Sequence, residues 1–342
     1  MKKIISLLTC MALISMTVLS FAACNKTSTT NNTSNEVVSV DTQTENQETS
    51  NVEQTSEVKT YKIGTLQLVQ HDALDKTYQG FVDYLNEKNI NFTMDFQNAS
   101  GEQSACQTIA DKFMNDNLDL IYAIATPAAQ SVLAVDENVP IVASAVTDPA
   151  SSKLCDTNEN PGGILTAASD LTPVEAQFDL LKELVPNAKT VGILYCSAEA
   201  NSKIQSDMAE AAAKKRDLEP KVYTVTTSAD IQTVVESMAG NVDVIYIPTD
   251  NTIAAGMETV ATLCNDLKIP TICGEEGLVH SGGYATYGID YYQLGKIAGE
   301  LAEEILVNGK KPGDIPVRYL DSSKCTRLIN EEVADLLGLS KK

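Results

Sequence analysis

Three observations predict an α/β protein made of two similar lobes, each a mainly parallel sheet flanked by helices. The first is an internal echo. Leu118-Asp119-Leu120-Ile121-Tyr122-Ala123-Ile124-Ala125-Thr126 returns as Val242-Asp243-Val244-Ile245-Tyr246-Ile247-Pro248-Thr249. Upstream, Lys62-Ile63-Gly64-Thr65-Leu66 matches Thr190-Val191-Gly192-Ile193-Leu194, and downstream Val139-Pro140-Ile141-Val142-Ala143 matches Ile269-Pro270-Thr271-Ile272-Cys273. Three pairs in the same order, offset by about 124 to 130 positions, mark a duplicated domain rather than a short repeat. The second observation is the alternation of short Ile-, Val- and Tyr-rich runs with longer amphipathic segments such as Ala73 to Asn89 and Glu199 to Asp217. The third is that the apolar runs end in short polar residues, as the mouth of a cleft between two such lobes requires.

The chain opens with Lys2 and Lys3, an apolar stretch from Ile4 to Phe21 and the small-residue junction Ala22-Ala23-Cys24. Residues 1–23 therefore read as an export signal, outside the fold. A small pair followed by Cys resembles a bacterial lipobox, with Cys24 the lipidated residue and Phe21 where Leu is usual; an ordinary cleaved signal and a retained anchor are the alternatives. From Cys24 to Val58 the chain is almost entirely Ser, Thr, Asn, Gln, Glu and Asp, a composition that cannot bury enough apolar surface to fold. This is a tether with a root-mean-square reach of about 30 Å, enough to hold a domain off a membrane.

Strands are expected near 61–68, 92–97, 119–125, 140–145, 164–168, 190–196, 220–225, 243–247, 270–273, 284–288 and 316–320. The first lobe then spans 59–170, completed by about 289–315, and the second spans 171–288, completed by about 316–342. The formal charge of −21, two units more negative once Lys2 and Lys3 leave with the signal, argues against nucleic acid and anionic lipid as partners. Beyond Cys10 and Cys24 there are Cys106, Cys155, Cys196, Cys264, Cys273 and Cys325, which show neither a disulfide framework nor metal-ligand spacing. Free thiols are expected, with one or two disulfides as the alternative; no metal and no cofactor are implied.

In an open α/β sheet, ligands bind beyond the carboxyl ends of the strands, where helix N-termini offer free N–H groups. Those ends give Gln70, His71, Thr126, Thr147, Asp148 and Ser169 in the first lobe. The second gives the stretch from Ser197 to Asn201, Thr249, Asp250, Asn251, Glu275, Glu276 and Asp290. Helix capping explains many of the same positions, since Thr126-Pro127 and Asp148-Pro149 have the N-cap-then-Pro pattern and Asp250 and Asp290 each precede a helix. A cap residue at a cleft mouth is still placed to meet a ligand.

Five of these motifs carry a family likeness: Gln67-Leu68-Val69-Gln70-His71-Asp72-Ala73-Leu74-Asp75, Ala125-Thr126-Pro127-Ala128-Ala129-Gln130, Ala145-Val146-Thr147-Asp148-Pro149, Pro248-Thr249-Asp250-Asn251-Thr252 and Tyr287-Gly288-Ile289-Asp290-Tyr291-Tyr292-Gln293-Leu294-Gly295. With Leu328-Ile329-Asn330 and Ala334 to Gly338, they resemble the substrate-binding lipoproteins of ABC importers of the tryptophan/tyrosine type, over Lys59 to Gly338. The resemblance implies a periplasmic-binding-protein type I fold: two Rossmann-like lobes that close on a solute by hinge motion. It further implies a monomer that hands its ligand to a membrane permease driven by a cytoplasmic ATPase. Cys196 departs from the family, where a polar residue is more usual.

The function expected is capture of an aromatic amino acid (tyrosine, tryptophan or phenylalanine) at the outer face of the cell membrane. Thr126 and Thr147 would take its carboxylate, and Asp250 and Asp290 its ammonium. Other readings are a surface adhesin or sensor on the same fold, and a different solute such as a branched-chain amino acid or nucleoside. Catalysis has little support, because the only nucleophile–base pair on offer is Cys196 with His71. An export signal and a tether stand where a DNA-binding module would be needed. With no Trp in the chain, Tyr78, Tyr195, Tyr287, Tyr291 and Tyr292 are the candidates for stacking on a ring.

Overall fold

The computed structural model describes residues 59–135 and 138–342. The export signal, Cys24 and the tether lie outside the described residues. The first lobe runs β1 (Tyr61–Gln67), α1 (Asp72–Glu87), β2 (Phe92–Asn98), α2 (Gln103–Phe113), β3 (Leu120–Ile124), α3 (Thr126–Val135), β4 (Ile141–Ser144) and β5 (Leu165–Ser169). The chain then crosses into α4 (Val174–Leu184), β6 (Thr190–Cys196), α5 (Ala200–Lys214), β7 (Glu219–Val225), α6 (Ile231–Met238), β8 (Val244–Ile247) and α7 (Asn251–Ala255). The second lobe continues through α8 (Met257–Asp266), β9 (Thr271–Cys273), α9 (Glu276–His280) and β10 (Ala285–Gly288). Last come α10 (Tyr291–Leu306), β11 (Arg318–Tyr319), β12 (Thr326–Ile329) and α11 (Glu331–Leu337).

The two sheets have matching orders, β11-β5-β4-β3-β1-β2 and β12-β10-β9-β8-β6-β7. All neighbours are parallel except β10 with β12. The sequence echo has a physical basis in this match. Asp119 Oδ2 accepts the Lys62 N–H at 2.9 Å at the start of β1, and Asp243 Oδ2 does the same for Lys189 and Thr190 at 2.8 Å before β6. Tyr122 and Tyr246 fill the two cores: Tyr122 stacks on Phe81 with ring centroids 3.9 Å apart, and Tyr246 packs on Phe178 at 4.9 Å. Each hydroxyl keeps a partner, Ser144 Oγ at 2.7 Å and Gln177 Oε1 at 2.7 Å, as burial of a phenol demands.

Continuous apolar strands reflect burial on both faces. In β8, Val244 and Tyr246 belong to one cluster under the sheet and Ile245 and Ile247 to another above it, the period-two alternation of a strand. In the first lobe α1 buries Ala73, Leu74, Thr77, Phe81, Tyr84 and Leu85, a single helical face. It meets α10 at very close range: a Cβ on Gly80 would lie 2.0 Å from the Tyr292 carbonyl oxygen, and one on Gly295 2.0 Å from that of Thr77. The pair of glycines thus brings the N-terminal ends of α1 and α10, with His71 and Tyr291, together at the cleft.

The last crossing comes later than the expected boundary near residue 316. β11 still pairs with β5 in the first sheet, with Val317 in the first core and the Thr166 hydroxyl donating to the Ile315 carbonyl at 2.8 Å. The second lobe is completed only by β12 and α11. β12 was missed because Thr326-Arg327-Leu328-Ile329 has no continuous apolar run. The six cysteines from Cys106 to Cys325 are free thiols.

Candidate ligand-binding cleft

On the first lobe, β3 and β4 end in Ala125 (φ 85°) and Ala145 (φ 53°), both buried and both in the left-handed region that side chains avoid. These turns set Thr126 and Thr147 at the cleft. The Thr126 hydroxyl is buried without a hydrogen-bond partner. Thr147 Oγ1 donates to Asp170 Oδ1 at 3.1 Å and accepts from Gln205 Nε2 of the other lobe at 2.9 Å. Ser169 Oγ supports the same loop by donating to the Thr147 carbonyl at 2.7 Å. Asp148, by contrast, braces its own loop, accepting from Ser151 N and Asn158 Nδ2, and Gln70 is exposed.

On the second lobe, Asp250 caps α7 through Ile253 N at 2.8 Å and also accepts from Cys196 N at 2.5 Å. Glu275 caps α9 through Gly277 N and Leu278 N. Gln205 Oε1 accepts from Thr249 N at 3.2 Å, and Asn201 Nδ2 donates to the Thr249 carbonyl at 3.1 Å while its Oδ1 is buried without a partner. Glu199 accepts from Asn251 Nδ2 at 2.6 Å and from Thr252 N at 2.9 Å. Across the gap, His71 Nε2 meets Asn251 Oδ1 at 3.2 Å and His280 Nδ1 meets Asp72 Oδ2 at 3.3 Å, so the lobes are closed on one another.

Between them lies a cavity of about 190 Å³, bounded by Leu68, Val69 and Pro127 on one side and by Glu199, Thr227 and Asn251 on the other. Beside it His71, Asp170, Asp250, Glu275 and Tyr291 enclose a smaller space of about 10 Å³, room for one water at most. Among the described residues, no lysine or arginine lines either space. Burial pushes the Asp170 carboxyl up to about 6 and that of Glu275 up to about 7, in the latter case against the opposing pull of the Gly277 and Leu278 N–H groups and of Lys76. Burial, with the neighbouring Glu199 charge second, raises Asp250 to about 7. Burial also holds the His71 imidazole below its usual value.

Residues 62–341 match the family model described as ABC transporter substrate binding protein. The chain belongs to that family. Within it, the chain is similar to a tyrosine-binding protein of Clostridioides difficile (strain R20291), 42% identical over 291 residues that cover 84% of each protein. It is also similar to a Streptococcus pneumonia ABC domain solved in complex with L-Trp: 36% identity, TM-score 0.80, covering 83% of this chain and 96% of that one. The ligand-free, open structure of a Clostridium difficile substrate-binding protein with adhesive properties is 39% identical, covering 82% and 96%, yet its TM-score is only 0.64. Sequence distance does not explain that gap. In this substrate-binding protein the lobes touch across the cleft through His71 with Asn251 and His280 with Asp72.

Of the aromatic candidates, only Tyr291 lines the closed spaces, and its hydroxyl donates to Asp170 Oδ2 at 3.0 Å. Tyr78 pairs with Phe96, Tyr195 packs in the second core, and Tyr292 donates to Asp83 at 3.0 Å. Tyr287 is only partly buried, against that same core. Asp290 is exposed, capping α10 through Tyr292 N and Gln293 N. The nucleophile–base pair is not formed, because Cys196 Sγ donates to the Thr226 carbonyl at 3.4 Å and His71 engages Asn251. Sequence reasoning missed Asp170 and Gln205 as cleft residues. Glu199 lay within a stretch already singled out, whereas nothing in the sequence around Asp170 distinguishes it from a loop residue.

Proposed function

We propose that this substrate-binding protein captures a zwitterionic aromatic amino acid between its lobes and presents it to the permease of an ABC importer. The observation that carries the reading is the set of buried acids, Asp170, Asp250 and Glu275, gathered around one space whose described lining holds no lysine or arginine, Lys76 approaching only Glu275 from the rim. Such a set calls for a cation from the ligand, and an α-ammonium supplies one. On the first lobe, the unpartnered Thr126 hydroxyl would offer a donor to a carboxylate. The larger cavity, with Leu68, Val69 and Pro127 on its wall, would take the side chain. The relatives named for tyrosine and solved with L-Trp support an aromatic one. To this site we assign, from the sequence candidates, Thr126, Thr147, Thr249, Asp250, Asn251, Glu275, Asn201, His71 and Tyr291, and we add Asp170. Asp290 and Asp148 are left out.

The mature protein would work as a monomer on the outer face of the membrane, held by a lipid on Cys24 and the polar tether. Replacing Cys24 with Ser should release it from the membrane fraction. The ligand reading is tested by calorimetry on protein stripped of bound solute and refolded. Heat and a raised unfolding temperature are expected with L-tyrosine, L-tryptophan or L-phenylalanine. A response only to a sugar, a nucleoside or leucine would sink it.

A further inference from the structure

We propose that Glu199, acting through Asn251, fixes His71 as the Nε2–H tautomer, so that His71 latches the two lobes together while its Nδ1 is left as an acceptor. Every contact of the Glu199 carboxylate comes from a donor: Asn251 Nδ2 at 2.6 Å, Asn251 N at 3.3 Å, Asn201 Nδ2 at 3.3 Å, Thr252 N at 2.9 Å and Thr252 Oγ1 at 2.8 Å. A carboxylate in that setting accepts, so the Asn251 amide must turn its NH₂ toward Glu199. Its carbonyl oxygen is then the atom that faces His71 Nε2 at 3.2 Å. An amide oxygen cannot donate. The proton of this hydrogen bond therefore sits on Nε2.

His71 occupies the N-cap position of α1 but makes no capping bond with its side chain, which reaches across to the other lobe instead. A half-buried imidazole held below its usual value by desolvation is neutral and carries one proton, and with that proton on Nε2 the other nitrogen has only a lone pair. The space it borders with Asp170, Asp250, Glu275 and Tyr291 thus presents one more acceptor. A ligand group meeting His71 has to donate. This deepens the ammonium assignment and rests on it for the identity of the donor, but the tautomer itself follows from the protein alone. Because the His71–Asn251 bond exists only between closed lobes, it should govern how long a ligand stays more than how fast it enters.

The chain has only two histidines, so selective ¹⁵N labelling of His gives two imidazoles to assign. In protein saturated with L-tyrosine near neutral pH, long-range ¹⁵N–¹H spectra should show His71 neutral with its proton on Nε2. In Asn251→Ala and Glu199→Gln that preference should give way to a tautomer mixture. Asn251→Ala should also release L-tyrosine up to about tenfold faster, the worth of one net hydrogen bond, with association little changed. A proton on Nδ1 or a charged ring in the wild type would overturn the proposal, as would an Nε2–H preference untouched by Asn251→Ala. Asn251→Ala leaves the Glu199 contacts to Thr252 and Asn201 in place and so keeps the test open if Glu199→Gln does not fold. Should L-tyrosine not bind, spectra of protein carrying the solute it retains through native purification separate failure of the ligand reading from failure of the latch.

Discussion

In the first lobe the strands facing the cleft end in hydroxyls and backbone amides, Thr126 after β3 and Thr147 after β4. In the second lobe the strands at the same places in the sheet order end in acids, Asp250 beyond β8 and Glu275 beyond β9. The duplicated framework therefore repeats position but not charge. Sheet order, the aspartate at the start of the third strand and the core tyrosine are common to both halves, because a buried parallel sheet needs them. Cleft residues answer to the ligand instead, and they have diverged until one wall is neutral and the other anionic. A cleft with two chemically different walls orients a zwitterion; two like walls would not. Asp170 is the exception. It ends β5 on the first lobe's side and brings a carboxylate toward the acidic wall.

The largest effect should come from that exception. Asp170→Asn keeps the shape of the side chain and one acceptor for the Tyr291 hydroxyl, but removes the charge. If Asp170 holds an ammonium, affinity for the amino acid should fall by about 2–5 kcal/mol, since the cation would be left buried without its partner. Stability of the ligand-free protein should change little or rise, because a buried carboxyl already pushed up to about 6 gains nothing from its charge there. Titration calorimetry and thermal unfolding on one variant read both quantities. Equal affinity with lowered stability would mean that Asp170 only braces Thr147 and Tyr291.

A smaller effect should separate the walls by pH. In the closed form Asp170 titrates at about 6 and Asp250 and Glu275 at about 7. To the extent that opening exposes them, these carboxylates return toward the ordinary range near about 4. Between those values the closed, empty form binds more protons than the open one. Lowering the pH from about 7.5 to 5 should therefore favour closure without ligand, and raising it should favour opening. Small-angle scattering of the ligand-free protein should show a radius that shrinks as pH falls, while the ligand-bound radius stays constant. A ligand-free radius independent of pH would mean that the acidic wall does not oppose closure.

How much of this was legible in the sequence follows from the same contrast. The fold was legible because burial on both faces imposes long apolar runs, and the echo around Asp119 and Asp243 repeats a backbone requirement. β12 was not, since a half-exposed edge strand such as Thr326–Ile329 needs no apolar run. In the site, strand ends located the wall residues but could not rank them. Asp250 and Asp290 have the same local signature, an acid before a helix, yet one is 2% exposed and faces the cleft while the other is open to solvent. Which of them is buried depends on where the opposite lobe lands, a long-range fact with no local trace. Asp170 was passed over for the same reason, and Gln205 because an interior helix position gives no hint that its amide bridges Thr147 and Thr249.

Asp290 supplies the smallest expected effect and the cleanest control. Its Oδ1 accepts from Tyr292 N at 2.9 Å and Gln293 N at 3.2 Å, satisfying two N–H groups that the first turn of α10 would otherwise leave to water. Asp290→Ala should therefore lower stability by about 1 kcal/mol, the usual worth of an N-cap, and Asp290→Asn by less, because Asn caps nearly as well. Affinity should hold in both. The side chain is exposed at the rim beside Asp72 and Glu276, so any charge it offers to a ligand is shared with solvent and screened by salt. Its only route to the ligand is through Tyr291, the first residue of the helix it caps, whose hydroxyl engages Asp170. If Asp290→Asn weakened binding as much as Asp170→Asn, the ammonium would have to lie at the rim, and the buried acids would lose their role as its site.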